Sequence, residues 1–347
     1  MVSPLEALPS HNFTLLLLFS SSVTSKPDPV GILFYMPLFA EKGDDIMAIA
    51  TMEYTMNGQT YQLQKDLSTG KYKKVLTAPA KSSYSQPNHV YATTLKVKDQ
   101  AGNVTTIDQG NAEFGSKMKL DVNEKVPPVI TPTKPGDEAY LTSNSVQIQF
   151  DVTDNDSGVA QGSISLQIDN QAAITTGLTK TEIAGGYRCA YTANIADGDH
   201  TIKINAKDND GNVASQETIT FVVDTTNPEL ELSSPATDLI TNKKSLTVAG
   251  VTSDATSGPC TVTIKLNDVD QGAVTVSGSG DFSKVVSLAK GTNNLTVRST
   301  DKAGKYTEVE RAVVYDPDAP QVLSVEITPN PVDAGGEFTI TVEAVDE

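Results

Sequence analysis

Residues 127–158, PPVITPTKPGDEAYLTSNSVQIQFDVTDNDSG, and residues 227–258, NPELELSSPATDLITNKKSLTVAGVTSDATSG, are two copies of one pattern. Pro128 matches Pro228, Asp154 matches Asp254 and Gly158 matches Gly258, each at a spacing of 100. A third copy starts at Ala319, with Pro320 standing 92 residues after Pro228. The ends of the copies agree as well: GDHTIKINAKDNDGN (198–212) aligns with GTNNLTVRSTDKAGK (291–305), and HVYATTLKVKDQAGN (89–103) carries the same ending earlier in the chain. A fixed period of this length means an array of like domains, each a supersecondary unit of one small sandwich. In 347 residues it leaves room for a few such units and for no single large core.

Inside each copy the apolar residues recur every second position. Val146, Ile148, Phe150 and Val152 alternate with Gln147, Gln149 and Asp151, which puts one set on a buried face and the other in water. The alternation returns at Ile164, Leu166 and Ile168, at Ile202 and Ile204, at Leu246 and Val248, at Val262, Ile264 and Leu266, and at Leu295 and Val297. Turn formers such as DNDSG, ADGD, GSGD and KGTNN separate these runs, and no apolar stripe of helical period is long enough to matter. The pattern predicts an all-β chain of tandem antiparallel β-sandwich domains in an elongated array. The expected divisions are a non-repeat extension at 1–46, an N-terminal β module at 47–126, sandwiches at 127–226 and 227–318, and a partial module at 319–347.

The joints LDVNEKVPPVI, FVVDTTNPELEL and VVYDPDAPQVL each run strand, acidic residue, proline. Proline fixes its own φ and biases its predecessor to extended backbone, so short semi-rigid joints are expected, and the array is expected to be a rod about 130 Å long. Asp224 and Asp316 at these joints are candidates for calcium between modules, with turn formation by acids beside proline as the plainer reading.

The densest acidic group is Asp151, Asp154 and Asp156, with Asp208 and Asp210 in the corresponding late loop. Asp154, Asp156, Asp208 and Asp210 are the weak metal candidates, for calcium, because that ion takes six or more oxygens. The second copy has Asp254, Ala255 and Thr256, and Asp301, Lys302 and Ala303, in the matching stretches. Compared position by position the group is not repeated. Asx turns with left-handed glycines at Gly158 and Gly211 are therefore preferred, no cofactor is expected, and chelator is expected to change the melting temperature little.

Cys189 and Cys260 fall at non-equivalent points of different copies, so they cannot form the inter-sheet bridge of one sandwich; buried reduced thiols are expected. His89 and His200 fall in separate modules, and no Ser/His/Asp or Cys/His site is expected. A two-carboxylate glycosidase cleft would want aromatic lining, and the chain has no Trp. The chain is expected not to be an enzyme. Tyr54, Tyr61, Tyr72 and Tyr84 enrich the first module and form a weak candidate binding surface for a saccharide or protein, against the commoner use of Tyr as sheet filler. A net charge of -17 with three Arg argues against nucleic acid and anionic membrane surfaces.

Residues 1–46 share neither repeat nor style. HNFTLLLLFSSSVTS (11–25) has no Lys or Arg before it, unlike a secretory leader, and is too short to span a bilayer. Glu41–Met47 can be encoded by a purine-rich run just ahead of a start codon, so Met47 is read as the start and 1–46 as translated upstream sequence; an atypical signal with a linker is the alternative.

The joints DTTNPELELSSP and VPPVITPTKP, the D-x-x-G-N/K endings at 99–103, 208–212 and 301–305, and the TNKKSLTV run resemble bacterial Ig-like repeat domains. A Tyr-rich β module followed by such repeats also resembles Ig-like accessory proteins of tailed phages and prophages of Gram-positive bacteria. The resemblance implies a non-enzymatic structural or adhesive spacer on a virion tail or at the extracellular or cell surface, binding a host glycan or protein weakly. The alternative is the accessory region of a secreted or cell-wall-acting hydrolase whose catalytic domain lies elsewhere. Residues 319–347, too small to fold alone, are expected to dock on the preceding module or to be completed by a partner strand from another tail or surface protein.

Overall fold

A computed structural model of the chain describes residues 30–33 and 48–346. Among these residues the regular structure is strand, apart from three short 3-10 turns. The strands close around three separate apolar cores, which is what three period-two segments joined without long linkers dictate.

The two central modules share one architecture. In the first of them, Val129–Lys134, Ser145–Thr153, Gly186–Asn194 and Thr179–Ile183 lie side by side in one sheet, and Ala139–Leu141, Glu217–Val223, Gly198–Asn205 and Ser165–Ile168 form the other. The opening segment of the module serves both sheets. Val129–Lys134 pairs antiparallel with Ser145–Thr153, then the chain turns at Pro135 and Gly136 and Ala139–Leu141 runs parallel to the closing strand, with Ala139 opposite Phe221 and Leu141 opposite Val223. The next module repeats the device: Glu229–Ser234 pairs with Ser245–Ser253, and Leu239–Thr241 runs parallel to Tyr306–Tyr315.

The alternation read from sequence is the packing observed. Val146, Ile148, Phe150, Val152, Ile164, Leu166, Ile202 and Ile204 are all buried in one core, and Leu246, Val248, Val262, Ile264, Leu266, Leu295 and Val297 in the next. Cys189 is fully buried opposite Phe150, and burial pushes its thiol up to about 11. Cys260 is buried in the following module, and both cysteines are free. Gly186 lets two strands close up at the end of their hairpin, since a Cβ there would stand 2.0 Å from the carbonyl oxygen of Val152.

The first module is a smaller assembly. Gln59–Gln62, Ile49–Met56, Tyr91–Asp99 and Val104–Ile107 form its main sheet, and Lys119–Leu120 adds to Tyr91–Asp99. Its core holds Met52, Tyr54, Met56, Tyr91, Leu95 and Met118. Val30–Leu33 runs antiparallel to Tyr72–Leu76, so part of the stretch expected to lie outside the fold serves as an edge strand here. The other expectations for residues 1–46 fall outside the described residues.

The last segment departs from one of its two expected outcomes. Gln321–Thr328 and Thr339–Val345 form a two-stranded ribbon in which every residue is exposed, including Val325, Ile327, Ile340 and Val342, and Phe338 just before the second strand is exposed too. It has the apolar residues of half a sandwich and does not dock on the module before it. Two strands carry one apolar face between them and no second layer, so there is nothing to bury that face against.

No helix among the described residues is long and apolar enough to cross a membrane.

Candidate functional site at the module joints

Two groups of three carboxylates stand at the joints. Glu124, Asp154 and Asp208 each place an oxygen within 4.8 Å of the other two, and so do Asp224, Asp254 and Asp301. The groups are built alike. The first acid comes from the joint itself, immediately after the preceding module's closing strand in the case of Asp224. The second opens the loop after Ser145–Thr153 or Ser245–Ser253, and the third opens the D-x-x-G-N/K loop that follows Gly198–Asn205 or Gly291–Thr300. Each cluster is thus shared between a joint and the near end of the module that follows.

The loop acids are held by their own turns. At the first joint the Asp154 Oδ1 accepts the backbone N–H groups of Asp156 at 3.0 Å and Gly158 at 2.7 Å, and Gly158 takes the left-handed φ of 80°. The Asp208 carboxylate accepts the Asn212 N–H and side-chain amide at 2.7 and 2.6 Å, and Gly211 has φ 92°. The Asx turns expected from the sequence are therefore present. Asp156 and Asp210 tie the first module to the second: Asp156 Oδ1 accepts the Ser82 N–H at 3.0 Å, and Asp210 Oδ2 accepts the Glu124 N–H at 2.9 Å. Glu124 Oε1 accepts the Ser157 N–H at 2.7 Å, and the Glu124 carbonyl accepts the Asn212 amide at 3.1 Å. Burial pushes the Glu124 carboxyl above its ordinary value, and the charges of Asp154 and Asp156 add to that rise against the bonds from Ser157.

At the second joint Asp224 is fully buried. It accepts the Thr226 N–H and hydroxyl at 3.0 and 2.9 Å and the Ser257 hydroxyl. Burial alone would push its carboxyl up; the Ser257 and Thr226 bonds and the charge of Lys305 more than reverse this and hold it low. Asp254 spends Oδ1 on the N–H groups of Thr256 and Ser257, and Asp301 spends Oδ1 on the N–H of Lys305. Two buried side-chain oxygens at the joints are left without a partner: the Oδ2 of Asp301 at the second and the Oγ of Ser157 at the first. None of the six clustered carboxylates takes part in an ion pair among the described residues.

The position-by-position comparison of the two copies therefore misjudged the repetition. Asp156 and Asp210 are not repeated, but the three acids that converge are, and sequence reasoning missed Glu124 as the partner of Asp154 and Asp208. The signal was available: Glu124 precedes Asp154 by 30 residues, Asp224 precedes Asp254 by 30, and Asp316 precedes Asp346 by 30. Asp224 was matched with Asp316 rather than with the loop acid it meets. Asp316 itself follows the closing strand Tyr306–Tyr315 and donates its N–H to the Thr241 carbonyl, as Asp224 donates to Leu141.

Of the four tyrosines proposed as a surface, Tyr54 is buried and the other three are partly exposed. Tyr54 lies in the core of the first module, where burial pushes its phenol up, and Tyr61 and Tyr72 pack against that core. Tyr84 stacks on His89 with ring centres 4.2 Å apart. For Tyr54, Tyr61 and Tyr72 these are the uses of an amphipathic ring on a half-buried sheet, while Tyr84 lies in a turn.

His200 has its two ring nitrogens on Asp169 Oδ2 at 2.9 Å and on the Ala196 carbonyl at 2.8 Å. The matching place in the next module is held by Asn293, whose amide reaches the Ala289 carbonyl at 2.8 Å and meets Asn267 at 3.2 Å. Asp169 Oδ1 and Asn267 Oδ1 each accept a strand N–H at 2.8 Å, from Thr201 and Asn294. An Asn pair does in one copy what the His–Asp pair does in the other, so the pair is a clamp on a hairpin end.

Residues 136–225 match the family model of a bacterial Ig-like domain, and residues 228–316 match that of glucodextranase, domain B. Bacillopeptidase F of Bacillus subtilis (strain 168) is 26% identical over 216 residues, which are 62% of this chain and 14% of that protein, so the chain spans about a seventh of the relative's length. Among solved structures, fibronectin(III)-like modules of Clostridium thermocellum CbhA cover 54% of this chain and 94% of their own at 15% identity and a TM-score of 0.34. Sidekick-1 immunoglobulin domains 1–4 cover 76% and 67% at 11% identity and a TM-score of 0.36.

Proposed function

We propose that this chain of Ig-like repeats is a non-enzymatic spacer that works outside the cytoplasm, holding apart the parts of a larger assembly or of a longer polypeptide. The observation that carries the reading is the joint. Each module closes its own core, and the next begins within a few residues, tied back by side-chain bonds such as Ser82 to Asp156 and Ser257 to Asp224. An array built this way sets a distance between its ends. Two charged pairs are spent on the fold: His200 and Asp169 clamp a hairpin, and the Arg188 guanidinium makes two bonds of 2.8 Å to Asp151 on the neighbouring strand.

In the narrower form of this reading the spacer belongs to a phage tail or a bacterial surface and holds a host glycan or protein weakly. The likeness to Bacillopeptidase F favours a second form, in which these modules are the accessory region of a secreted hydrolase with its catalytic domain elsewhere. Deleting residues 227–318 tests the spacer role. The shortened chain should remain folded and lose roughly 40 Å of maximum dimension in small-angle scattering. Turnover of peptide or glycoside reporter substrates by the full chain, abolished by a single substitution, would overturn it.

A further inference from the structure

We propose that each of the two joints binds one calcium ion, held by Glu124, Asp154 and Asp208 at the first and by Asp224, Asp254 and Asp301 at the second. The inference does not depend on which assembly the array serves.

Three carboxylates brought within 4.8 Å of one another repel, and burying them raises the cost of leaving the charge uncompensated. Here all six are more than half hidden in the joints or their loops, Asp154, Asp208, Asp224 and Asp301 almost wholly so, and none is paired with a Lys, Arg or His among the described residues. Acidic clusters on a surface are common, and this one alone would signify little. What points to a ligand is the pair of orphaned atoms. Asp301 is 6% exposed, its Oδ1 caps the loop, and its Oδ2 has no donor although it belongs to a carboxylate of the cluster. Ser157 is 4% exposed and its hydroxyl has no partner, while its own N–H is bonded to Glu124 of the first cluster. The serine at the matching sequence position, Ser257, touches the joint acid of the second cluster through its hydroxyl. The two orphans are different atoms, since the hydroxyl of Ser257 and both oxygens of Asp208 are bonded, but buried polar oxygens are almost always satisfied, and an unsatisfied one at each joint asks for a missing partner there.

The donor set chooses the ion. All donors are hard oxygens, with no thiolate or imidazole, which suits calcium or magnesium over zinc or copper. Calcium accepts six to eight oxygens at about 2.3–2.6 Å in flexible geometry, which suits side chains from three separate loops, whereas magnesium needs a tight octahedron at about 2.0–2.1 Å. The joints differ in one respect. Lys305 occupies in the second the place of Asn212 in the first, and its charge acts on Asp224; the first joint carries Asp156 and Asp210 besides. The first site is therefore the tighter of the two.

The test is calorimetric titration of the chelator-stripped full chain with calcium chloride, beside melting curves in chelator and in millimolar calcium. Two sites per chain are expected, with a rise in melting temperature on the order of 10 °C at saturation. Asp154→Asn should remove the first site and Asp301→Asn the second, while Lys305→Asn should tighten the second several-fold. Because Asn can still cap the loop through Oδ1, both Asp variants should melt in chelator no lower than the parent and lose only the gain from calcium. A chain that takes up no calcium and melts alike in both media overturns the proposal. So does full binding retained in Asp154→Asn and Asp301→Asn, or an equal response to magnesium.

Discussion

At the scale of single residues the repeat offers its own controls. His200 and Asn293 hold the same hairpin end, so the double change His200→Asn with Asp169→Asn should fold nearly as well as the parent, whereas His200→Ala should leave the Ala196 carbonyl and the Asp169 Oδ2 without their bonds to the ring and melt lower. Burial raises the Asp169 carboxyl, and the bonds from His200 and Thr201 more than reverse this, so its folded value lies below the ordinary one. A depressed carboxyl stabilises above its unfolded pKa of about 3.9 and loses that contribution as the pH falls through the folded value. The melting difference between the parent and Asp169→Asn should hold at neutral pH and shrink below about pH 4; a difference that persists in strong acid would refute the pairing. Phe150, wholly buried in its core, should cost about 3–5 kcal/mol when cut to Ala, measured by denaturant unfolding. Buried identities of this kind were legible, because Val146 to Val152 announce their face by alternation. The joint acids were not, because a cluster made by residues 30 and 84 positions apart, as Glu124, Asp154 and Asp208 are, has no local pattern.

Among the elements, strand positions were readable and edges were not. The split opening segment, antiparallel in Val129–Lys134 and parallel in Ala139–Leu141, follows from Pro135 interrupting the ladder, but nothing local says which strand the second half will join. Nor did Val30–Leu33 carry a repeat signal that would mark it as an edge strand of the first module. Gly186 marks where two strands approach too closely for any side chain, and Gly186→Ala should destabilise its module enough to lower the first melting transition; an unchanged curve would show that the hairpin end yields. The exposed ribbon of Gln321–Thr328 and Thr339–Val345 is marginal by itself, since two strands bury too little. Its amides should exchange fast in the isolated chain and slow only when a further layer covers Ile327, Ile340 and Val342. Protection in the monomer would mean that it docks after all.

For the whole molecule, the period of about 100 residues predicted the tandem sandwiches, and the matched families of residues 136–225 and 228–316 agree with it. Scattering should give a maximum dimension of roughly 130 Å for the full chain, and a particle near 70 Å would mean that the modules fold back on one another. The parallel contact between each module's opening and closing strands has a mechanical consequence. Ala139–Leu141 lies beside Glu217–Val223, and Leu239–Thr241 beside Tyr306–Tyr315, running the same way. Tension applied to the two ends of such a module pulls one strand back and the other forward along their shared axis. The hydrogen bonds between them are then loaded together in shear and must fail at once, where bonds peeled from one end would open singly. A chain pulled by its ends should therefore resist to a sharp threshold and lengthen in steps, one module at a time.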